Sequence, residues 1–236
     1  IGEIWGYETD GYYTINDFNA DDAKHKTWTL KEGVVKINGY NPQPGDVKFK
    51  DLRPDGVINA GDNTVDNPGD RKIIGNDAAR YQFGISLGAS YKGWSLEVLL
   101  QGVGKRDYWL GGPAMFPFGG AGAGDAVFQA LYANQTDYWR AKSYDPSSSD
   151  YMVPVNPDSK LFRIYDQGNN VGSNTRVSDK YLQNAAYMRI KNITLAYTLP
   201  KEWVKRAFIQ DAKFYLSIEN LATFSSLPKG YDPEGR

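Results

Sequence analysis

One unbroken alternation constrains this chain more than any other feature, and it runs from Tyr81 to Tyr91. Tyr81, Phe83, Ile85, Leu87, Ala89 and Tyr91 fall on one side of a period-two pattern, and Gln82, Gly84, Ser86, Gly88 and Ser90 on the other. Side chains of a β-strand alternate between faces, so this run is a strand with one apolar face and one small polar face. Lys92 and Gly93 read as a tight turn. The return strand puts Trp94, Leu96, Val98 and Leu100 on one face and Ser95, Glu97 and Gln101 on the other, with Leu99 out of pattern.

Two readings fit this hairpin. One is a half-buried antiparallel sheet in a soluble sandwich. The other is a pair of transmembrane β-strands, which need about ten residues each when tilted. Aromatics stand at both ends of the first strand and aliphatics in its middle, as interfacial girdles require. Its opposite face, small and polar, suits a wet lumen.

The chain has 236 residues, enough for a single domain with a sizeable core. Its net charge of −1 gives no long-range field toward nucleic acid or an anionic surface, so no nucleic-acid partner is expected. Seventeen tyrosines and 14% aromatics suit membrane girdles or carbohydrate-stacking surfaces. With no cysteine there is no disulfide framework, thiol nucleophile or Cys-based zinc site. His25, the single histidine, sits in a polar stretch, which makes His triads and multi-His metal sites improbable. No apolar run is long enough for a membrane helix, and a β-barrel would not have one. The chain opens in mid-strand character and stops in mid-loop character, as expected of a segment of a longer protein.

Along the chain, Ile1–Tyr13 reads as a strand running into a turn at Thr9–Gly11, and Asp17–Thr29 as polar with room for a short helix. Lys31–Lys36 and Asp46–Asp51 are short strand candidates, and Asn63–Asn76 a turn-rich connector. Ala126–Ala133 has the spacing of a short amphipathic helix. Ala185–Leu199 is a long strand whose apolar parity flips near Lys191–Asn192, which predicts a bulge. Pro200–Asp211 is a connector with a helical turn, and Ala212–Ala222 is the last strand, for about five strands in all. The links Lys92–Gly93 and Pro200–Asp211 are short, whereas Thr9–Arg80, Val103–Asn184 and Thr223 onward are long. Outer-membrane barrels sort their connections this way, with short periplasmic turns and long extracellular loops.

The stretch Asp51–Asp62 (DLRPDGVINAGD) has the spacing of an EF-hand-type calcium loop. Its candidate oxygen ligands are Asp51, Asp55, the Val57 carbonyl, Asn59 and Asp62, with Gly56 at the sharp turn. Arg53 occupies a usual ligand position, Asp62 replaces a bidentate Glu, and flanking amphipathic helices are missing. A turn network of Asp and Asn side chains on backbone donors is the competing reading.

Four stretches carry a resemblance: DVKFKDLRPDGVINAGDNT, ARYQFGISLGASYKGWSLEVLLQGVGKRDYW, SDKYLQNAAYMRIKNITLAYTLPKEWVKR and AKFYLSIENLATFSSLPKGYDPE. In this order and spacing they resemble the C-terminal part of the SusC/RagA-type TonB-dependent outer-membrane transporters, from about Gly6 onward. The resemblance implies an all-β fold, the C-terminal strands of a 22-stranded transmembrane antiparallel barrel with long extracellular loops. It implies that residues 1–236 lack the plug and the closing strand. It implies TonB-dependent import of a nutrient, an oligosaccharide foremost or else a peptide, and no enzymatic activity. The partners it implies are a SusD-like surface lipoprotein, the TonB complex reached through the N-terminal part, and the outer-membrane bilayer.

For ligand contact, the loop aromatics Trp109, Phe116, Phe118, Tyr138 and Trp139 are the candidates, since aromatic faces stack on sugar rings. Packing within the loops or against a lid protein competes with that role. The acids Asp145, Asp150, Asp158 and Asp166 invite a glycosidase reading, but nothing in the sequence pairs any two of them. The alternative overall reading is a soluble calcium-binding β-domain that binds carbohydrate, resting on Asp51–Asp62 and the loop aromatics.

Overall fold

The structure, a computed structural model, describes residues 1–19, 28–112, 115–116, 131–164 and 171–235. They form two compact units. The first is built from Asp77–Tyr108 and Gln183–Arg236, together with Ile1; the second from Gly2–Asn76 and Trp109–Leu182. The strands in chain order are β1 (Glu3–Tyr7), β2 (Thr9–Tyr12), β3 (Val47–Phe49), β4 (Arg71–Asn76), β5 (Arg80–Tyr91), β6 (Trp94–Lys105), β7 (Asp107–Trp109), β8 (Leu182–Asn184), β9 (Tyr187–Thr198) and β10 (Lys213–Ser225).

The first unit is one antiparallel sheet in the order β10-β9-β6-β5. Its strands are twelve or thirteen residues long. The expected hairpin is present, and Lys92 (φ 46°) and Gly93 (φ 86°) turn it with two positive φ angles, the requirement of a two-residue turn that follows strand twist. The link from β9 to β10 contains the expected helical turn, Lys201–Lys205. The predicted bulge is also present. Leu99 pairs with Asn192 and Leu100 with Ile190, so Lys191 is the extra residue. At the same level β10 carries its own irregularity between Glu219 and Ala222, where Asn220 takes a left-handed φ of 51°. The two bulges return Ile190 and Ala222 to the apolar face and set Arg189 on the polar one.

The second unit is mostly irregular backbone around an aromatic core. Two small antiparallel ladders, β1-β4 and β2-β3, frame it. Tyr7, Tyr12, Phe49, Phe116, Trp139, Phe162 and Tyr181 are buried together with Ile37, Val47, Ile58 and Leu161. The rings meet edge to face where they can: Phe116 and Tyr181 lie at 4.7 Å and 78°. Buried phenols keep partners, with Tyr12 donating to the Ser159 carbonyl and Tyr13 to that of Val35.

Four expectations about elements change. Lys31–Lys36 is not a strand: Lys31, Glu32 and Gly33 form a turn, Val34 N–H donates to the Lys31 carbonyl, and Gly33 has φ 81°. The connector Asn63–Asn76 contains a strand, β4, which pairs with β1. Ile1–Tyr13 is two strands in different ladders, so the long strands of the described residues number four rather than five. At Asp17 the described residues hold a single 3-10 turn, Ile15–Asp17, closed by the Thr14 N–H donating to Asp17 Oδ2 at 2.7 Å. Phe18, Asn19, Trp28 and Thr29 are not helical, and residues 20–27 of that stretch, with 126–130 of the other, lie outside the described residues.

Candidate functional site

The long sheet aligns its side chains in rows that cross all four strands. Tyr91, Trp94, Tyr197 and Phe214 form an aromatic row beside the short turns. The next rows on that face are Ala89-Leu96-Leu195-Leu216, Leu87-Val98-Ile193-Ile218 and Ile85-Leu100-Ile190-Ala222. Phe83, Gly102, Met188 and Phe224 follow. A Cβ on Gly102 would fall 2.4 Å from the Phe83 ring and from the Tyr187 carbonyl oxygen, so only glycine lets that ring lie across the neighbouring strand. Leu87, Trp94, Leu96, Leu195, Phe214, Leu216 and Phe224 are all exposed, Leu216 at 65%. A contiguous apolar face of this kind, aromatic at its ends and aliphatic between, has the order of a lipid-facing band. The opposite face carries Gly88-Glu97-Thr194-Ser217 and Gly84-Gln101-Arg189-Thr223, in register.

On that polar face the strap after β10 doubles back over the sheet. Arg189, only 9% exposed in its side chain, donates from Nη2 to Asp232 Oδ1 at 2.6 Å, from Nη1 to Glu234 Oε2 at 2.7 Å and from Nε to Thr223 Oγ1 at 2.7 Å. Lys191 Nζ and the Tyr187 hydroxyl also donate to Glu234. Arg106 donates from Nη1 to the Pro233 carbonyl and from Nε to that of Asp77. The Glu234 backbone N–H and the Arg189 guanidinium hold the Asp232 carboxyl below the usual carboxylate range. Beside the strap lies a groove of about 640 Å³, lined among others by Gln82, Gly84, Gln101, Arg106, Lys191 and Glu234. The sequence reading missed this cluster. Its partners lie 43 and 45 residues apart, and the one available signal was the parity flip that turns Arg189 inward.

In the second unit the predicted ligand aromatics divide. Trp139 and Phe116 are enclosed in the core, at 0% and 1% exposure, and offer no ring face to a ligand. The core draws them in because the irregular backbone around it supplies few aliphatic side chains. Trp109 packs against the same core, 6.1 Å from Phe116, with its Nε1 buried and unpartnered. Tyr138 is half-buried, with the Arg140 guanidinium 5.9 Å from its ring centroid. Phe118 lies outside the described residues. Of the four loop acids, Asp150 pairs with Lys142, and Asp145 caps Ser147, whose N–H and hydroxyl lower its pKa. Asp166 lies outside the described residues.

The Asp51–Asp62 loop is a network of side-chain acceptors on backbone donors. Asp51 Oδ2 accepts from Gly56 N–H, Asp55 Oδ1 from Val57 N–H and Asn59 Oδ1 from Gly61 N–H. The Asn59 amide donates to the Val57 carbonyl, and Asp62 accepts from Asn67. The hub is Asp70, fully buried and outside the twelve-residue pattern, which accepts from the N–H groups of Leu52, Arg53 and Asn59. Asp51 Oδ1 is buried with no hydrogen-bond partner. Among the described residues no three His, Cys, Asp or Glu side chains gather as a metal ion would require.

Two-faced antiparallel strands of this length, crossing in aromatic and aliphatic rows, define an all-β protein built on the pattern of transmembrane barrel strands; among the described residues no helix is long and apolar enough to cross a membrane. The chain is similar to TonB-dependent receptors, and the resemblance carried by its sequence motifs is borne out. TonB-dependent receptor P3 of Formosa agariphila is 26% identical over 235 residues, which are 99% of this chain and 18% of that protein. TonB-dependent receptor P26 of the same organism is 23% identical over 210 residues, 89% of this chain and 18% of that protein. The structure of the RagAB peptide transporter matches the fold with a TM-score of 0.51 at 21% identity, covering 98% of this chain and 20% of that one. No protein-family model matches. The chain thus spans about a fifth of the length of the relatives it matches.

Proposed function

We propose that this chain is the C-terminal part of the 22-stranded barrel of a TonB-dependent transporter that imports a nutrient across the outer membrane. The observation that carries the reading is the row structure of β5, β6, β9 and β10: an exposed apolar face with an aromatic end row, backed by a small polar face, with β5 and β10 as the outer strands. Exposed leucine rows are costly in water and favourable against lipid, and in lipid the open strand edges require neighbouring strands to close the barrel. In this assignment the short turns face the periplasm and the long connections the extracellular side, where a SusD-like lipoprotein caps the barrel. Transport needs no bond chemistry in this part of the chain. Its relatives are receptors and transporters by name, which fits a role other than an enzyme's.

The cargo we assign is an oligosaccharide, with Trp109 and Tyr138 the predicted aromatics that, among the described residues, keep part of their surface accessible. A peptide is the second reading, favoured by the peptide-transporter neighbour. The test uses the full-length protein containing this segment. It is expected in the outer-membrane fraction, to run with heat-modifiable mobility, and to support energy-dependent uptake of labelled oligosaccharide. Uptake of peptide alone would replace the cargo; recovery in the aqueous phase without detergent would overturn the barrel.

A further inference from the structure

The motif GYDPE, from Gly230 to Glu234, has no role in the reading above, yet it makes the densest charged contacts of the first unit. We infer that the strap Ser226–Gly235 is a latched cover over the polar groove of the sheet, with Asp232 and Glu234 as the latch and Arg189 and Lys191 as its catch.

Three observations carry this. First, the catch is built by the fold: the bulge at Lys191 turns Arg189 onto the polar face, where strict alternation would set it among the apolar rows, and Arg189 and Lys191 both reach Glu234. Second, the hydrogen bonds that hold the strap to the sheet come from side chains, around a buried Pro233. Asp232 and Glu234 reach Arg189, Glu234 also takes Lys191 and the Tyr187 hydroxyl, and Arg106 reaches the Pro233 carbonyl. Within the strap, a turn from Tyr231 N–H to the Pro228 carbonyl shapes it, and no strand ladder ties it to β10. Third, Pro233 and Glu234 form one wall of the groove whose other walls are Gln82, Gln101 and Arg106, so moving the strap enlarges that groove. A segment fastened by side-chain ion pairs can leave without unfolding the ladder beneath it, because the two are separate sets of bonds. Arg189 is nearly enclosed while Asp232 is more than half exposed, so the latch opens from the strap side.

The inference rests on the barrel placement, which makes the polar face the lumen wall and the strap a cover within the passage. The experiment uses the full-length protein in detergent, with the double variant D232N/E234Q and, on the catch side, R189Q. Hydrogen exchange of the peptide spanning Ser226–Gly235 is expected to accelerate at least tenfold in each variant. Amides of β9 and β10 near Thr194 and Ser217 should keep their rates. A single reporter, Gln101→Cys, is expected to react several-fold faster with a polar maleimide when D232N/E234Q is added. Unchanged strap exchange in the double variant overturns the latch. Faster strap exchange with unchanged Gln101→Cys labelling overturns the cover. Loosening of β9 and β10 in the double variant makes the cluster a tie of the sheet and also overturns the latch. Failure of the wild-type protein to reach the outer membrane overturns the placement instead, so the two readings fail separately.

Discussion

The two units use the same residue types in opposite ways. In the first, Trp94, Phe214 and Leu216 stand outside on a sheet that buries little of itself; in the second, Trp139, Phe162 and Leu161 are enclosed. A count of aromatic residues cannot separate these uses, but their arrangement can. Rows in strict cross-strand register make a surface that something else must cover. Rings tilted or set edge to face around irregular loops make a core that covers itself. Exposure of a large apolar side chain is therefore a defect in one unit and the working state in the other.

The largest expected effect tests the enclosed side of the contrast. Trp139→Ala removes a fully buried ring and should cost the second unit about 3–5 kcal/mol, the range for truncating a core aromatic. Hydrogen exchange of the detergent-solubilised protein should show β2 and β3 losing protection while β5 and β6 keep theirs. Loss in both units at once would mean that they do not unfold separately. On the exposed side, Leu195→Arg is the sharper test. Leu195 is 42% exposed and sits mid-sheet between Leu96 and Leu216. In water, arginine there would be nearly neutral. Facing lipid one row in from the aromatic end row it should cost up to about 2–4 kcal/mol, the midplane value, and lower the amount of assembled protein in the outer membrane. Undiminished assembly would break the comparison, leaving that face as ordinary solvent surface.

What could be read from the sequence follows from the same contrast. The four long strands, the Lys92–Gly93 turn and the bulge at Lys191 were legible because a sheet with two unlike faces imposes a strict period, and any slip in it shows. The second unit imposes no period. A ligand platform and a core ring have the same composition there, so Phe116 and Trp139 could not be told from contact residues. Strand β4 (RKIIGN) lacks alternation and was read as a connector. Asp70 was missed because the calcium-loop template counts along the chain, whereas Asp70 reaches back across a turn to Leu52 and Arg53. The Arg189 cluster joins two quoted motifs, but no local rule pairs residues so far apart.

Asp70 supports a prediction of intermediate size. Asp70→Ala leaves the N–H groups of Leu52, Arg53 and Asn59 without their acceptor, at about 1–3 kcal/mol for each group that water cannot reach. The melting temperature of the second unit should fall accordingly. Millimolar calcium should leave the wild-type melt unchanged, since Asp51 Oδ2 and Asp55 Oδ1 already accept backbone N–H groups and Asp62 Oδ2 accepts from the Asn67 amide. A calcium-dependent rise abolished by Asp51→Asn would instead put a cation at Asp51 Oδ1.

The smallest effect is a response to acid. Glu8 takes both Lys50 and Lys72, and these hydrogen bonds, opposed only weakly by desolvation, hold its pKa down to about 2 from 4.5. A carboxylate depressed in the folded state stabilises it above the unfolded pKa, and that contribution fades as pH falls through the folded one. The window here lies between about 4.5 and 2. Lys50 and Lys72 are exposed and Glu8 is half-buried, so salt should screen the effect, and high ionic strength should flatten the acid slope of the second unit's melting temperature. Glu8→Gln should remove the same part of the slope at low salt. In the first unit the depressed acid is Asp232 in the strap, and no carboxylate stands in the apolar rows. Acid should therefore speed exchange of Ser226–Gly235 before it touches β9 and β10. If the sheet loosens at the same pH as the strap, its rows depend on the Arg189 cluster, and packing alone does not hold them.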